Sequence, residues 1–166
     1  MAAKKGQRDV LPDELFGGSD RASAIVCGAF IEESLERLVR HRLVDGADES
    51  LFHGRYGPLA TFAAKIDIAR AIGLISETEA EDMHQIRKVR NAFSHSLGPL
   101  SYADSPVREH IANMRHKGSA ITGKPARPRS DFEAGAVLLA GYLQSRMRSV
   151  EPIAPCEEHH PQHPRR

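Results

Sequence analysis

Ile86-Arg87-Lys88-Val89-Arg90-Asn91-Ala92-Phe93-Ser94-His95-Ser96 is the stretch on which burial and chemistry meet. At ~100° per residue, Met83, Ile86, Val89, Phe93 and Leu97 fall on one helical face. Arg90 falls inside that face, roughly 40° from Ile86. A guanidinium there needs a carboxylate, because desolvating an unpaired charge costs several kcal/mol. Glu32 and Glu36 are the candidates. On a wheel they continue the stripe of Ile25 and Ala29, so the expectation is a structural ion pair joining Arg90 to Glu32 or Glu36. The plainer reading of the same acids is a solvated half-helix shared with Glu33, Arg37 and Arg40.

Working outward, helix signals recur along the chain. Ser19 or Asp20 can cap a first helix running to about Asp45, with Gly46 beyond its end. Ala24 to Ile31 is apolar on nearly every side, which marks a central, buried element. Residues 46–57 form a Gly-rich connection, and Pro58 suits the first turn of a second helix carrying Leu59, Phe62, Ile66 and Ala69 and closed by Gly73. Asp67 and Arg70 read as a surface pair. Ser76-Glu77-Thr78-Glu79 is a capping box launching the third helix, which Leu97 ends before Gly98-Pro99. Ser105-Pro106 opens a short helix to about Arg115. Residues 116–129, with Gly118, Gly123, Pro125 and Pro128, read as a loop. Ser130-Asp131-Phe132-Glu133 reads as a second capping box, opening a last helix to about Val150. No strand pattern or internal repeat stands out. The fold expected is all-α, an irregular bundle of four to five helices.

Composition narrows the function. The 166 residues suffice for one domain with a core. Residues 1–18 read as a flexible arm, 19–150 as a single helical domain, and 151–166 as a disordered His- and Pro-rich tail. No run approaches the ~18 apolar residues that span a bilayer, and the polar start lacks a signal-peptide core, so a cytoplasmic protein with no membrane partner is expected. The two cysteines, Cys27 in an apolar run and Cys156 in the tail, do not suggest a disulfide framework. Net charge is +1, so nucleic acid would need a local basic patch. Few aromatics and no Trp argue against a base-stacking platform.

Three further groups carry potential chemistry. His84, Lys88, Asn91 and His95 share a ~60° stripe opposite the apolar face, suited to an anion or acid–base work if it is not simply a solvated face. No acid lies between His110 and Ser130, whereas Arg115, Lys117, Lys124, Arg127 and Arg129 do, so this loop is the candidate nucleic-acid contact. Cys156, His159, His160 and His163 would take up at most a stray ion. There is no metal-ligand spacing and no cofactor motif, so neither a metal nor a cofactor is expected.

Several blocks in order resemble the mannitol operon repressor family. They are Asp20-Arg21-Ala22-Ser23-Ala24-Ile25-Val26, Phe30-Ile31-Glu32-Glu33-Ser34-Leu35-Glu36, Leu51-Phe52, Gly57-Pro58-Leu59-Ala60-Thr61-Phe62, Lys65-Ile66-Asp67, Gly73-Leu74-Ile75 and Ile86 to His95. The resemblance implies a small all-helical transcriptional regulator. No helix-turn-helix with a polar, base-reading second helix accompanies it, so the implied mode is protein–protein contact, with a protein partner and, by analogy, a homodimer. A second resemblance is shorter. Arg90-Asn91, three residues, then His95 is similar to the RNxxxH motif of HEPN-domain proteins, helical bundles that include metal-independent ribonucleases. It implies a HEPN-like bundle in which Arg90 clamps phosphate, Asn91 positions and His95 moves the proton while the RNA 2′-OH attacks. Arg90 and His95 are ~140° apart on an ideal helix, so they meet only if the helix distorts near Phe93 or a second protomer completes the site. The expectations are thus a regulator acting through protein contacts; in the alternative, a ribonuclease or RNA-binding module; and, third, a direct DNA-binding repressor using residues 115–129.

Overall fold

The computed structural model describes residues 18–156, and every regular element among them is helical. The described residues hold six α-helices: α1 (Asp20–Arg42), α2 (Phe62–Ala71), α3 (Glu77–His95), α4 (Val107–Ala112), α5 (Gly118–Thr122) and α6 (Pro128–Arg146), with a 3-10 turn at Glu49–Leu51. The fold is therefore the expected all-α bundle, with two of the six helices being short. Among the described residues no helix is long and apolar enough to cross a membrane.

Local chemistry explains most boundaries. Ser19 caps α1, its hydroxyl accepting from the Ala22 N–H at 3.2 Å. α1 stops at Arg42 rather than near Asp45, because Leu43 turns extended while its N–H still reaches Val39 O. α2 starts at Phe62, capped by Thr61, and not at Pro58. Leu59 and Ala60, next after Pro58, spend their N–H groups on Leu51 and Gly57 carbonyls in the preceding turn. The Ser76–Glu79 capping box is present in full at the start of α3. At its far end the helix stops at His95, and Leu97 is fully solvent-exposed rather than part of the apolar face.

The second half departs further from expectation. After Ala112 the Asn113 and Met114 N–H groups still turn back to the Glu109 and Ile111 carbonyls, and those of Arg115 and His116 leave the helix to donate to the buried Asp82 carboxylate at 2.9 and 2.7 Å. The expected loop 116–129 contains α5, closed by Gly123 at φ +66. α6 begins at Pro128 in its first turn, so Ser130-Asp131-Phe132-Glu133 is no capping box. Asp131 instead accepts from the Ser119 N–H and hydroxyl, and Glu133 accepts from Ser23 and Arg129.

α1 is the central element: α6, α3 and α2 pack against it, α4 joins α3 to α6, and α5 lies on α6. Its burial is one-sided. Ala24, Cys27, Gly28, Ile31, Leu35 and Leu38 are buried, but Ile25 is 39% exposed and Ala29 faces solvent. Phe93, Tyr102 and Phe132 form a chain of tilted rings, with centroids 5.1 and 5.4 Å apart, that ties α3 and α6 through the 96–106 connection. Beyond α6 the chain is tied back to α1, since Ile153 N–H donates to Arg42 O at 2.9 Å and the Arg42 guanidinium donates to Glu151 O at 2.6 Å. Two contacts thus join the first residues of the expected tail, 151–153, to α1. Residues 1–17 of the expected arm at 1–18 and residues 157–166, with His159, His160 and His163, lie outside the described residues.

Phe93 sits at zero exposure in the middle of this core. Phe93→Ala should lower unfolding free energy by about 3–5 kcal/mol in urea titrations while leaving the far-UV helical signal intact. A loss under about 1 kcal/mol would mean the ring chain is not the centre of the core.

Candidate functional site

The third helix is organised by a run of alternating charges between α1, α2 and α3. Arg90 Nη1 donates to Glu32 Oε2 at 2.5 Å. Lys65 Nζ, on α2, lies 2.9 Å from Glu32 Oε1 and 2.7 Å from Glu36 Oε2. Arg40 continues the run, donating to Glu36 at 2.8 Å and to Glu49 at 2.8 Å, with its guanidinium 3.8 Å above the Phe52 ring. Arg90 thus pairs with Glu32 alone; Glu36, the other expected partner, is held by Lys65 and Arg40. Burial works against ionisation of Glu36, but hydrogen bonds and charge from Lys65 and Arg40 outweigh it and hold its carboxyl below the usual carboxylate range.

Two residues of this arrangement escaped the sequence reading. Lys65 is only 4% exposed. Its signal was the i+3 spacing from Phe62, which puts it in the apolar stripe of α2. Gly28 lets the Arg90 stem lie against α1: a Cβ there would sit 2.6 Å from Arg90 Cδ. That close approach had no sequence signal.

The RNxxxH residues are not brought together. α3 runs unbroken through Phe93 to His95, so the distortion that would join Arg90 to His95 is absent. Arg90 turns inward to Glu32, Asn91 is half-buried, and His95 is exposed. On the same outer stripe, Lys88 is exposed, and His84 Nε2 lies 3.4 Å from Asp67. Asp67 therefore faces His84 rather than Arg70, which pairs with Glu77 at 2.8 Å. His110 of α4 lies beside this stripe, 3.1 Å from Gln85; burial, then the charge of Lys88, pushes its pKa down.

The loop after α3 presents a different feature. Arg21 donates to the carbonyls of Ser96 (2.8 Å) and Gly98 (3.1 Å), and the Ser96 hydroxyl donates to Gly98 O. Leu97, between those anchored residues, projects wholly into solvent beside exposed His95.

The basic segment is only partly available. Arg115, Lys124 and Arg127 are exposed. Lys117 Nζ donates to Ala112 O at 2.6 Å. Arg129 is no loop contact: it holds Glu133 (2.8 Å), Asp20 (3.1 Å) and Gly18 O (2.9 Å), clamping α6 to the start of α1. Under that clamp the Tyr102 hydroxyl donates to Ser23 and Ser23 to Glu133. Cys27, free and buried beside them, has its thiol pushed up to about 12 by burial, then by the charge of Glu133, which leaves it unreactive near neutral pH. No group of three or more metal-ligating side chains occurs among the described residues.

The sequence matches no protein-family model, and no curated protein matches it. Among solved structures, the fold is similar to a chain in the X-ray structure of the MtlR–HPr complex from Escherichia coli, with a TM-score of 0.59 at 18% sequence identity. The match covers 81% of this chain and 93% of that one. At that identity the likeness establishes a shared fold.

Lys65→Met would leave Glu32 and Glu36 facing each other without their shared cation, and should destabilise by about 3–5 kcal/mol in urea titrations. Adding Glu36→Gln should recover part of that loss, and a double variant no more stable than Lys65→Met would refute the charge coupling. Because the Glu36 carboxyl is lowered in the folded state, its contribution is complete above its ordinary value of 4.5 and is lost as pH falls through the lower folded value. Glu36→Gln should therefore flatten the acid limb of Tm against pH, with little change in its slope above pH ~6.

Proposed function

We propose that this chain is a regulatory protein of the mannitol operon repressor type that acts by binding another protein. The observation that carries the reading is the bundle shared with a chain of the MtlR–HPr complex over 93% of that chain's length. The blocks that resemble the repressor family lie on α1, α2 and α3, the three helices joined by the charged run, and in the connections between them. The partner we propose is a protein of the HPr kind. The docking feature we assign to it is the α1–α3 edge: Leu97 as the apolar anchor, with His95 and the Arg21-braced loop around it.

The ribonuclease alternative asks Arg90 to clamp phosphate. That guanidinium already holds Glu32 and lies with its stem packed on Gly28. Freeing it would leave the Glu32 carboxylate short of one of its two cations, an expense that a catalytic cycle would have to recover each turn. A regulator needs no such release.

The test is calorimetric titration of the full chain with HPr from the same organism, run beside Leu97→Ser and His95→Ala. Saturable binding that weakens at least tenfold in Leu97→Ser, with an unchanged Tm, is the expected result. Absence of binding would sink the HPr-type partner, and binding indifferent to Leu97 would move the docking surface elsewhere. Incubation with mixed RNA in a chelator should leave the RNA intact; cleavage that disappears in His95→Ala would instead establish the nuclease.

A further inference from the structure

Between α5 and the first half of α6 lies a groove of about 510 Å³, lined by Ile121, Ser130, Glu133, Ala134, Val137 and Leu138. That volume is within the range of small-molecule sites. Its walls are held by specific contacts. Asp131 accepts from the Ser119 N–H at 2.5 Å and from the Ser119 hydroxyl at 3.0 Å, which fixes α5 on α6. Gly135 lets the backbone before α5 come close, since a Cβ there would sit 2.3 Å from His116 O. Fastened in this way, α5 carries Ile121 out into solvent at 55% exposure, and Val137, the other large exposed wall, is 45% exposed.

Glu133 is the one charged residue of the lining, and its side chain is only 9% exposed. Its bonds are one-sided. Oε1 accepts from both Ser23 (2.7 Å) and Arg129 (2.8 Å), whereas Oε2 accepts no hydrogen bond among the described residues. Its charge is also incompletely balanced. Arg129 holds Asp20 as well, so one guanidinium serves two carboxylates. Asp131, two residues earlier on α6 and buried, is met by the Ser119 donors and by no cation among the described residues. A carboxylate out of water with one oxygen unbonded is best met by a donor that carries positive charge.

We infer that this groove binds a small primary amine with an apolar body, its ammonium on Glu133 Oε2 and its carbon chain among Ile121, Val137 and Leu138. An amine answers both features of the groove. It stays protonated at neutral pH, as a lysine ammonium does. Its chain covers apolar surface that the bundle leaves in water. Other ligand classes fit worse. An anion would face the Glu133 charge. A sugar or polyol would set most of its hydroxyls against aliphatic side chains, with only Ser130 and Glu133 to receive them. A metal ion would find one carboxylate, and no group of three or more metal-ligating side chains occurs among the described residues. A lysine of another protein would bring its polar backbone over Ile121 and Val137, which favours a free amine. The site lies on α5 and α6, apart from the α1–α3 edge assigned to the protein partner.

Hexylamine is the probe, with hexanol, methylamine and hexanoate beside it. In proton–nitrogen NMR titrations of the full chain at neutral pH, hexylamine should shift the amide signals of 118–123 and 130–138 saturably, with a dissociation constant at or below ~1 mM. Hexanol and methylamine each lack one half of the ligand and should bind at least fivefold more weakly; hexanoate should not bind. Glu133→Gln keeps an acceptor for Ser23 and Arg129 but removes the charge, and should bring hexylamine down to the level of hexanol. Two variants at exposed positions carry the test even where Glu133→Gln disturbs the clamp on α1. Ile121→Ser removes one wall. Ser130→Lys places an ammonium of the chain's own one turn from Glu133. Each should weaken hexylamine at least fivefold with an unchanged Tm. The inference is overturned by the absence of saturable shifts, by shifts that fall outside these residues, by hexanol or hexanoate binding as well as hexylamine, or by both exposed variants binding as the parent does.

Discussion

Lys65 is the charge on which the arrangement of the first three helices depends. A lysine that is almost entirely out of water is tolerable only because two carboxylates from successive turns of α1 meet its ammonium. Those carboxylates are in turn committed to Arg90 on α3 and Arg40 on α1, so no member of the run has an unopposed charge. Alternation matters more than any one pair here. Apart from Lys65 each group is partly exposed, and an isolated pair between two such groups would contribute little. Linked through shared carboxylates, the groups set one register among three helices, because a shift of α2 by a turn would carry Lys65 away from both acids.

This use of Arg90 also bears on chemistry. An arginine in an RNxxxH motif is poised for phosphate only if its guanidinium reaches the cleft where the histidine works. In this chain the two side chains leave α3 on different sides, and the helix does not bend to reunite them. The motif's first residue is part of the framework, and its last is part of the surface.

Much of this was legible in the residues, and the gaps have physical causes. The apolar face of Met83, Ile86, Val89 and Phe93 exposed the conflict at Arg90, and its resolution by an acid on the first helix followed from the cost of an unpaired buried charge. Which acid Arg90 takes does not follow from the residues alone, because Lys65 enters as a third party only where α2 meets α1. A lysine in an apolar stripe looks like noise until the opposite helix offers it carboxylates. The second capping box failed for a related reason: Asp131 and Glu133 have the right local spacing, but tertiary donors on Ser119, Ser23 and Arg129 claim them. Local patterns were reliable where side chains stayed local, as at Ser76, and unreliable where a distant element competed for the same oxygen. Arg129 illustrates the same point, since a run of basic residues in sequence does not say which of them the fold will spend.

Leu97 has a property beyond its exposure. The residues on either side of it are fastened to α1 through Arg21, and the turn is closed again by Ser96. An apolar side chain on a slack loop forfeits much of its binding energy to the ordering of the loop itself. Here the backbone has already been immobilised during folding, so contact with a complementary pocket would freeze little more than the leucine's own rotamers. Recognition at such a tip should be fast to form and sensitive to a substitution at position 21, a residue that need never touch the bound molecule.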